Sequence, residues 1–412
     1  MKLMNWIGGM PMGRSLKQRK LLMLSAKDSE IPFILTARNM GFYVVTTGNK
    51  ADRAGHRYAD EYVPFDFSDY DGLAELSREM GIDALCQGCN DHCALAASAV
   101  GTRMGLSGHD SLETAAVLHR KDKFKEFAND LGLPCPVSTW FSSLEEALAH
   151  ERAFHAPCIV KPTDSAGGAG VSVARTREEY ADAVRNAFAW SAEGHIVVEP
   201  FIEGTLHSLS TFIVAGRVVA HMTANDYSFK NKYLTNSGKF PADGGDEAAA
   251  FLVPVVERVA RELKLVDGLL HLQYIKDLDG RFWIIEMMRR SPGNNYTVAL
   301  SRSTGINWQE WILRAEAGED LSHFPPMTPA SGACAYHSIM PATNGVVRRI
   351  EVDDDLYEYV YQYIEWNGPG SIISDCMNEK VGSLQFHFPS DSVCSAVMAN
   401  INDRVRVVME QG

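Results

Sequence analysis

The first hundred positions contain short, continuous apolar runs of strand length, separated by segments with helical spacing. Lys20 to Ser25, Tyr43 to Thr47, Tyr62 to Phe65 and Ile82 to Cys86 are the runs. Pro32 to Met40, stopped by Gly41, and Asp69 to Met80 carry the helical pattern, and an Ala-rich helix follows Cys86. The first 18 or so residues carry no clear pattern. Strands alternating with helices imply βαβ units and a parallel sheet covered on both faces. A ligand crevice is expected at the carboxyl ends of such strands, where Gln87-Gly88-Cys89-Asn90-Asp91 lies.

The pattern then changes. Asp122 is the expected N-cap of a helix that Gly132 closes ahead of Pro134. Ser143-x-x-Glu146 and Thr176-x-x-Glu179 read as capping boxes opening two more helices. Between them an apolar strand (Cys158, Ile159, Val160) carries Lys161, a loop of small residues runs from Ser165 to Gly170, and a second strand follows from Val171 to Ala174. Ile196 to Glu199 is a further strand, so residues 135–200 read as a small α+β unit. A hairpin follows, Leu209 to Val214 and Arg217 to Met222, turning at Ala215-Gly216. Asn225 to Gly245, polar and aromatic, reads as a 21-residue loop, long enough to be a lid. After a helix from Glu247 to Leu263 comes a second hairpin, Leu269 to Lys276 and Arg281 to Met287. The tail beyond Ala330 reads as short strands and a helix, with Arg348 and Arg349 on a candidate strand and facing solvent.

Length and composition set bounds. A chain of 412 residues is too long for one core and should divide into about two to four units. Its net charge of −13 argues against a nucleic-acid surface, though a local lysine pair can still bind an anion. No apolar run approaches the roughly 18 residues that cross a bilayer, and the first residues do not read as a secretory signal. The expectation is a cytoplasmic enzyme. Cys86-x2-Cys89-x3-Cys93 has ligand-like spacing, but no second Cys-x2-Cys completes a set, and buried small apolar residues explain it better.

Three places carry chemistry. Glycines in the Ser165–Gly170 loop let a backbone approach a phosphate and aim N–H groups at it, and Lys161 adds a point charge there. A flexible turn with one surface lysine accounts for the same residues. Lys123 sits in a helix first turn, which is unfavourable unless an anion is also bound there; a lysine-rich surface helix is the alternative. On the second hairpin, alternation puts His271 with Gln273 on one face of the first strand, and Glu286, Met288 and Arg290 on one face of the second. Such a set can hold Mg²⁺ and phosphate, or simply face water.

In order, Lys123, Lys161 before a small-residue loop, Glu199 before Pro-Phe-Ile, and E-x-x-R-R at 286–290 resemble the ATP-grasp superfamily, and in particular its L-amino-acid ligases that join a carboxylate to an amine. The likeness extends to about residue 320. It implies an α/β fold with a Rossmann-like N-terminal domain (1–119), two α+β subdomains clamping ATP (120–200 and 201–328), and a small C-terminal α+β domain (329–412). The tail resembles that of ATP-grasp amino-acid ligases and, more distantly, of biotin carboxylases. By resemblance, Lys123, Lys161, Ser165, Gly167 and Gly168 hold phosphates, and Glu199, Pro200, Phe201 and Ile202 form the adenine hinge. His207 stands in for a ribose-binding Glu, Glu286 and Gln273 bind Mg²⁺ (or Mn²⁺), and Arg290 with Lys161 is catalytic. The family usually has Glu where Gln273 stands and Asn where Met288 stands, and a thioether is a poor Mg²⁺ ligand. The implied reaction activates a carboxylate as an acyl phosphate and joins it to an amine, giving an amide, ADP and phosphate. Small-molecule substrates and a homodimer are the implied partners. A biotin-carboxylase-like enzyme and a nucleotide-binding paralogue with weakened catalysis are the alternatives.

Overall fold

The computed structural model describes residues 18–150, 156–165 and 168–410. Of the positions singled out above, most of the unpatterned leader and Gly167 lie outside them.

Strands Lys20–Leu24 (β1), Tyr43–Thr47 (β2), Glu61–Val63 (β3) and Ala84–Cys86 (β4) form a parallel sheet in the order β3-β2-β1-β4. Leu21 and Met23 enter one core with Phe33 and Ile34 of Ile31–Asn39 (α1). Leu22 and Leu24 enter another with Leu73 of Tyr70–Met80 (α2) and Ala96 of Asp91–Met104 (α3). Alternate side chains thus bury both faces, which is why these strands read as unbroken apolar runs. Asp69 and Asn90 cap α2 and α3 by accepting from the N–H groups of Gly72 and His92, and the first turn of α3 lies at the carboxyl end of β4.

Leu112–His119 (α4) leads into Lys121–Leu131 (α5). The N-cap of α5 is Arg120 rather than the expected Asp122, which lies inside the first turn. Phe124 and Ala128 pack with Leu252 and Val256 in the core beneath the large sheet described below. Helix α5, expected with the small α+β unit, is therefore built into the main body.

Thr139–Phe141 (β5), Leu144–Ala149 (α6), Cys158–Pro162 (β6), Ser172–Ala174 (β7), Arg177–Trp190 (α7) and Ile196–Pro200 (β8) make a four-stranded antiparallel lobe in the order β5-β8-β6-β7. Ser143 and Thr176 cap α6 and α7 as the capping boxes predict. Its core, from Phe141 and Val160 to Tyr180 and Ile196, is separate from the others.

Gly204–Val214 (β9), Arg217–Ser228 (β10), Thr235–Phe240 (β11), Gly268–Asp277 (β12) and Phe282–Met288 (β13) build most of an eight-stranded sheet, with Gly245–Glu262 (α8), Tyr296–Thr304 (α9) and Trp308–Glu316 (α10) around it. The expected long loop from Asn225 to Gly245 is thus the end of one strand, a short turn, a second strand and a helix start. Polar residues of its strands, Asn225, Asp226, Ser237 and Lys239 among them, are buried and partnered, which masks the strand in the sequence. Lys239 ion-pairs with Asp391 at 2.8 Å, and Ser237 bonds His337 at 2.7 Å.

The tail divides between the large sheet and a small sheet of its own. Ala333–Ile339 (β14) pairs with β11 and extends the large sheet. Gly345–Val352 (β15), Val360–Glu365 (β16), Ile372–Ile373 (β17), Gly382–Phe388 (β18) and Val405–Met409 (β19) complete the strands, giving the order β13-β12-β9-β10-β11-β14-β18-β16 and a small β17-β15-β19 sheet. Asp391–Met398 (α11) and Ile401–Arg404 (α12) pack on them. Arg348 and Arg349 are exposed on β15, as read from the sequence. Among the described residues no helix is long and apolar enough to cross a membrane.

Candidate active site

A cleft of about 1470 Å³ opens between the small lobe, the first turn of α3, the large sheet and the C-terminal strands. One wall is organised by Glu199, at the end of β8 and only 1% exposed. Its carboxylate ion-pairs with Lys125 Nζ from α5 and Lys161 Nζ from β6, each at 2.8 Å, and accepts from Ser138 Oγ at 2.7 Å. Burial pushes this carboxyl upward, but the charges of Lys161 and Lys125 outweigh it and hold the group below the usual range. Two cations share one anion, so the cluster keeps a surplus positive charge facing the cleft.

Lys121, in the first turn of α5, donates to the carbonyl of Ser165 in the small-residue loop. Burial lowers its pKa and Lys161 lowers it further, whereas Glu286 opposes both. A lysine of the body, a lysine of the lobe and Glu286 thus line the same cleft. The loop itself is tight. Gly168 adopts φ +77°, and a Cβ there would meet Tyr233 Cβ at 2.5 Å, so only glycine lets the loop approach the β10–β11 turn. Ser165 Oγ donates to the Ala169 carbonyl at 2.9 Å, closing the loop on itself. Pro200, Phe201 and Ile202 follow Glu199 along the cleft wall.

The two strands of the second hairpin pair Gln273 with Glu286 and His271 with Met288, and all four line the cleft. Asp226 on β10 joins them. Gln273 Nε2 donates to it at 3.1 Å and Ser208 Oγ at 3.2 Å. Burial, with some contribution from Glu286, pushes its carboxyl up to about 7, against the pull of those two hydrogen bonds. Two carboxylates and one amide oxygen in a buried pocket form an oxygen donor set suited to a hard dication, whose charge would relieve their repulsion. The Met288 thioether does not fit such a set. Among the described residues no group of three His, Cys, Asp or Glu side chains forms a metal cage, and Cys86 and Cys93 are buried free thiols.

Arg290 lines the cleft with its guanidinium locked in place. Nε and Nη2 donate to the two oxygens of Asp91 on α3, both at 2.9 Å, and Nη1 donates to the Ser291 carbonyl. His119 Nδ1 bonds the same Asp91 at 2.8 Å.

Two expected site residues are elsewhere. Lys123 is exposed and off the cleft, because the apolar stripe of α5 (Phe124, Ala128) turns Lys121 and Lys125 inward and Lys123 outward. His207 is buried on the face of β9 away from the cleft, stacked on Tyr274 at 5.2 Å and bonded to Thr205 at 2.6 Å. Its neighbour Leu206 faces the cleft instead, as a two-residue period requires. The sequence reading missed Lys121, Lys125 and Asp226; it put Asp91 at the expected crevice, where it does lie, but gave it no role. Helical spacing marks the two lysines, while nothing local marks Asp226.

A body carrying a glycine loop in a separate antiparallel lobe, over a large sheet with a carboxylate hairpin, is the arrangement of the ATP-grasp fold, and the chain shares that fold with the solved structures below. Residues 120–266 match the ATP-grasp (A) domain of phosphoribosylglycinamide synthetase. The chain is 27% identical over 247 residues to a phosphoribosylamine–glycine ligase of Vibrio parahaemolyticus, and 30% identical over 268 residues to that of Streptococcus pneumoniae. These matches cover 55% and 59% of this chain but only 57% and 62% of those relatives' length. Its fold is similar to that of an L-amino acid ligase from Bacillus licheniformis, with TM-score 0.79, 19% identity, and 96% and 99% of the two chains covered. It is also similar to phosphoribosylglycinamide synthetase from Anaerococcus prevotii, with TM-score 0.75, 19% identity, and coverage of 96% and 100%. The biotin carboxylase domain of Hydrogenobacter thermophilus 2-oxoglutarate carboxylase aligns with TM-score 0.78, 17% identity, and coverage of 95% and 90%.

Proposed function

We propose that this protein is an ATP-dependent, ADP-forming ligase that joins a small carboxylate to an amine. The observation that carries the reading is that Lys121, Lys161 and Glu286 line one cleft, with Lys121 bonded to the small-residue loop that follows Lys161. Such a space takes a polyphosphate and its counter-ion. The Gly168 loop and the surplus charge of the Lys125–Glu199–Lys161 cluster add to the grip, and Pro200, Phe201 and Ile202 border the base. Glu286 and Asp226, with the Gln273 amide oxygen, would hold Mg²⁺, which neutralises phosphate charge when bound.

In the reaction a carboxylate oxygen attacks the γ-phosphorus while the bond to the β-phosphate oxygen breaks, and ADP leaves. The amine nitrogen then attacks the acyl carbon, loses a proton, and phosphate departs. The protein's part is positioning and charge neutralisation. Arg290, fixed by Asp91, offers a preorganised cation to the carboxylate and to the tetrahedral oxyanion. Substrate identity is tested with amino-acid pairs, beginning with glycine, which the sequence relatives' names include. ADP release that requires a carboxylate and an amine supports the ligase. Release that requires bicarbonate supports a carboxylase, the activity named for one of the structural neighbours. Met288 and Gln273 favour a second reading, a nucleotide-binding paralogue with weakened catalysis, and tight ATP binding without turnover on any pair would select it.

A further inference from the structure

The far end of the cleft, where the C-terminal strands meet the segment after β13, holds a cation that the nucleotide grip does not use. Lys380 lies just before β18 and lines the cleft beside Asn294. Its ammonium donates to Asn294 Oδ1 and, at 3.4 Å, to the Thr235 carbonyl. Both partners are neutral. The adjacent Glu379 is occupied, since its Oε1 accepts from the backbone N–H of Ser374 at 3.0 Å, from Ser374 Oγ at 2.8 Å and from Asp375 N at 2.7 Å. Lys380 thus has three donors, two neutral acceptors and, among the described residues, no carboxylate partner.

Asn294 is held in place at some cost. It and Asn295 take φ +63° and +54°, a left-handed pair rare outside glycine. Asn294 Nδ2 donates to the same Thr235 carbonyl at 2.9 Å, and its backbone N–H donates to Ser29 Oγ at 3.2 Å. A strained, fully bonded asparagine therefore fixes the lysine's position. Burial alone lowers the pKa of Lys380, to about 8, and no acid offsets that burial. Lys121, by contrast, responds to both Glu286 and Lys161. Lys380 is held by Asn294 and Thr235 where Lys121 is held by the Ser165 carbonyl, so the two cations are fixed on different parts of the cleft wall. A partly buried ammonium facing a cleft without a counter-charge is costly in the free protein and is relieved when an anion arrives.

We propose that Lys380, oriented by Asn294, receives an anionic oxygen group on one of the two substrates, distinct from the carboxylate being activated. This assignment rests on the ligase reading above. It predicts that the substrate pair carries a second anionic group, either a free α-carboxylate or a phosphate ester. Neutral amines or monocarboxylates lacking such a group should be poor substrates.

The test is calorimetry on the full chain saturated with AMPPNP and Mg²⁺, which fills the nucleotide grip, titrated with acetate in one arm and inorganic phosphate in the other. Binding in either arm, weakened roughly tenfold to a hundredfold by Lys380→Gln and largely restored by Lys380→Arg, is the expected result. The stronger arm identifies the group as carboxylate or phosphate. AMPPNP affinity should stay as in wild type in the Gln variant, and its melting temperature should not fall, since no ion pair is broken and the buried charge is removed. Equal anion affinity in wild type and Lys380→Gln, or no anion binding to the AMPPNP complex, would overturn the assignment. Failure of wild type to bind AMPPNP would instead remove the ATP-dependent reading, and the co-substrate role of Lys380 with it.

Discussion

Lys161 of the small lobe and Glu199 at the end of β8 form a 2.8 Å ion pair at a position where Glu199 already holds Lys125 of the body. Removing one cation leaves the carboxylate paired; removing the anion leaves two buried ammonium groups facing each other. Lys161→Ala should therefore keep its fold by circular dichroism while ADP formation is abolished. Glu199→Gln should lose about 3–5 kcal/mol of stability in denaturant unfolding. Glu199 titrates below its ordinary 4.5 in the folded chain, so its stabilisation is complete above that pH and is lost as pH falls toward the folded value. Melting temperature of the wild type should drop more steeply on acidification than that of Glu199→Gln. Parallel acid profiles would refute the buried pairing.

The α5 lysines divide by face. Lys121→Ala removes a cation that touches the glycine loop, and AMPPNP affinity measured by calorimetry should fall roughly tenfold to a hundredfold. Lys123→Ala changes an exposed side chain, and affinity should stay within about twofold. A larger effect at Lys123 than at Lys121 would reverse the assignment of the grip.

The parallel sheet was legible in the sequence because a strand buried on both faces needs an apolar residue at every position, and Leu21 to Leu24 meet that need. The Gly168 loop and the 286–290 hairpin were legible because glycine content and two-residue alternation are local signals. Lys121 was hidden by the neighbouring Lys123, since a helix face is decided by what the helix packs on, here the core around Leu252. The 225–245 segment was misread because Ser237 and Lys239 are satisfied by His337 and Asp391, about a hundred residues or more downstream. Burial of polar strands by distant partners leaves no local trace. Asp226 belongs to the same class: its partners Ser208 and Gln273 come from β9 and β12.

Asp226 supplies a carboxylate close to where Gln273 stands in place of the family's usual Glu. In metal-free protein its folded pKa is raised from 3.8 to about 7 by burial, so ionising it costs stability as pH rises from the unfolded value through the folded one. Asp226→Asn removes that cost while keeping an oxygen for the Gln273 hydrogen bond. Melting in EDTA at pH 8 should therefore show the variant more stable by roughly 1–3 kcal/mol, with the gain gone at low pH. Mg²⁺ titration of the ADP complex should show the opposite sign, with affinity lowered about tenfold or more. Unchanged Mg²⁺ affinity would leave Glu286 as the sole protein carboxylate on the ion.

Arg290 reaches the cleft only through the bidentate pair with Asp91, which ties β13 to the first turn of α3 and to His119. A guanidinium fork fits a carboxylate in a way that a lysine ammonium does not. Arg290→Lys should therefore retain charge yet lose orientation, lowering kcat by roughly a hundredfold with little change in the KM for ATP, because the proposed nucleotide grip is made by other residues. Asp91→Asn should leave the guanidinium without its counter-charge and cost about 3 kcal/mol of stability as well as turnover. If Arg290 only bridged two domains, kcat among the folded molecules would be unaffected in Arg290→Lys, and the loss would appear in unfolding alone. A fall in kcat at unchanged melting temperature is the outcome that assigns the side chain to the reacting centre.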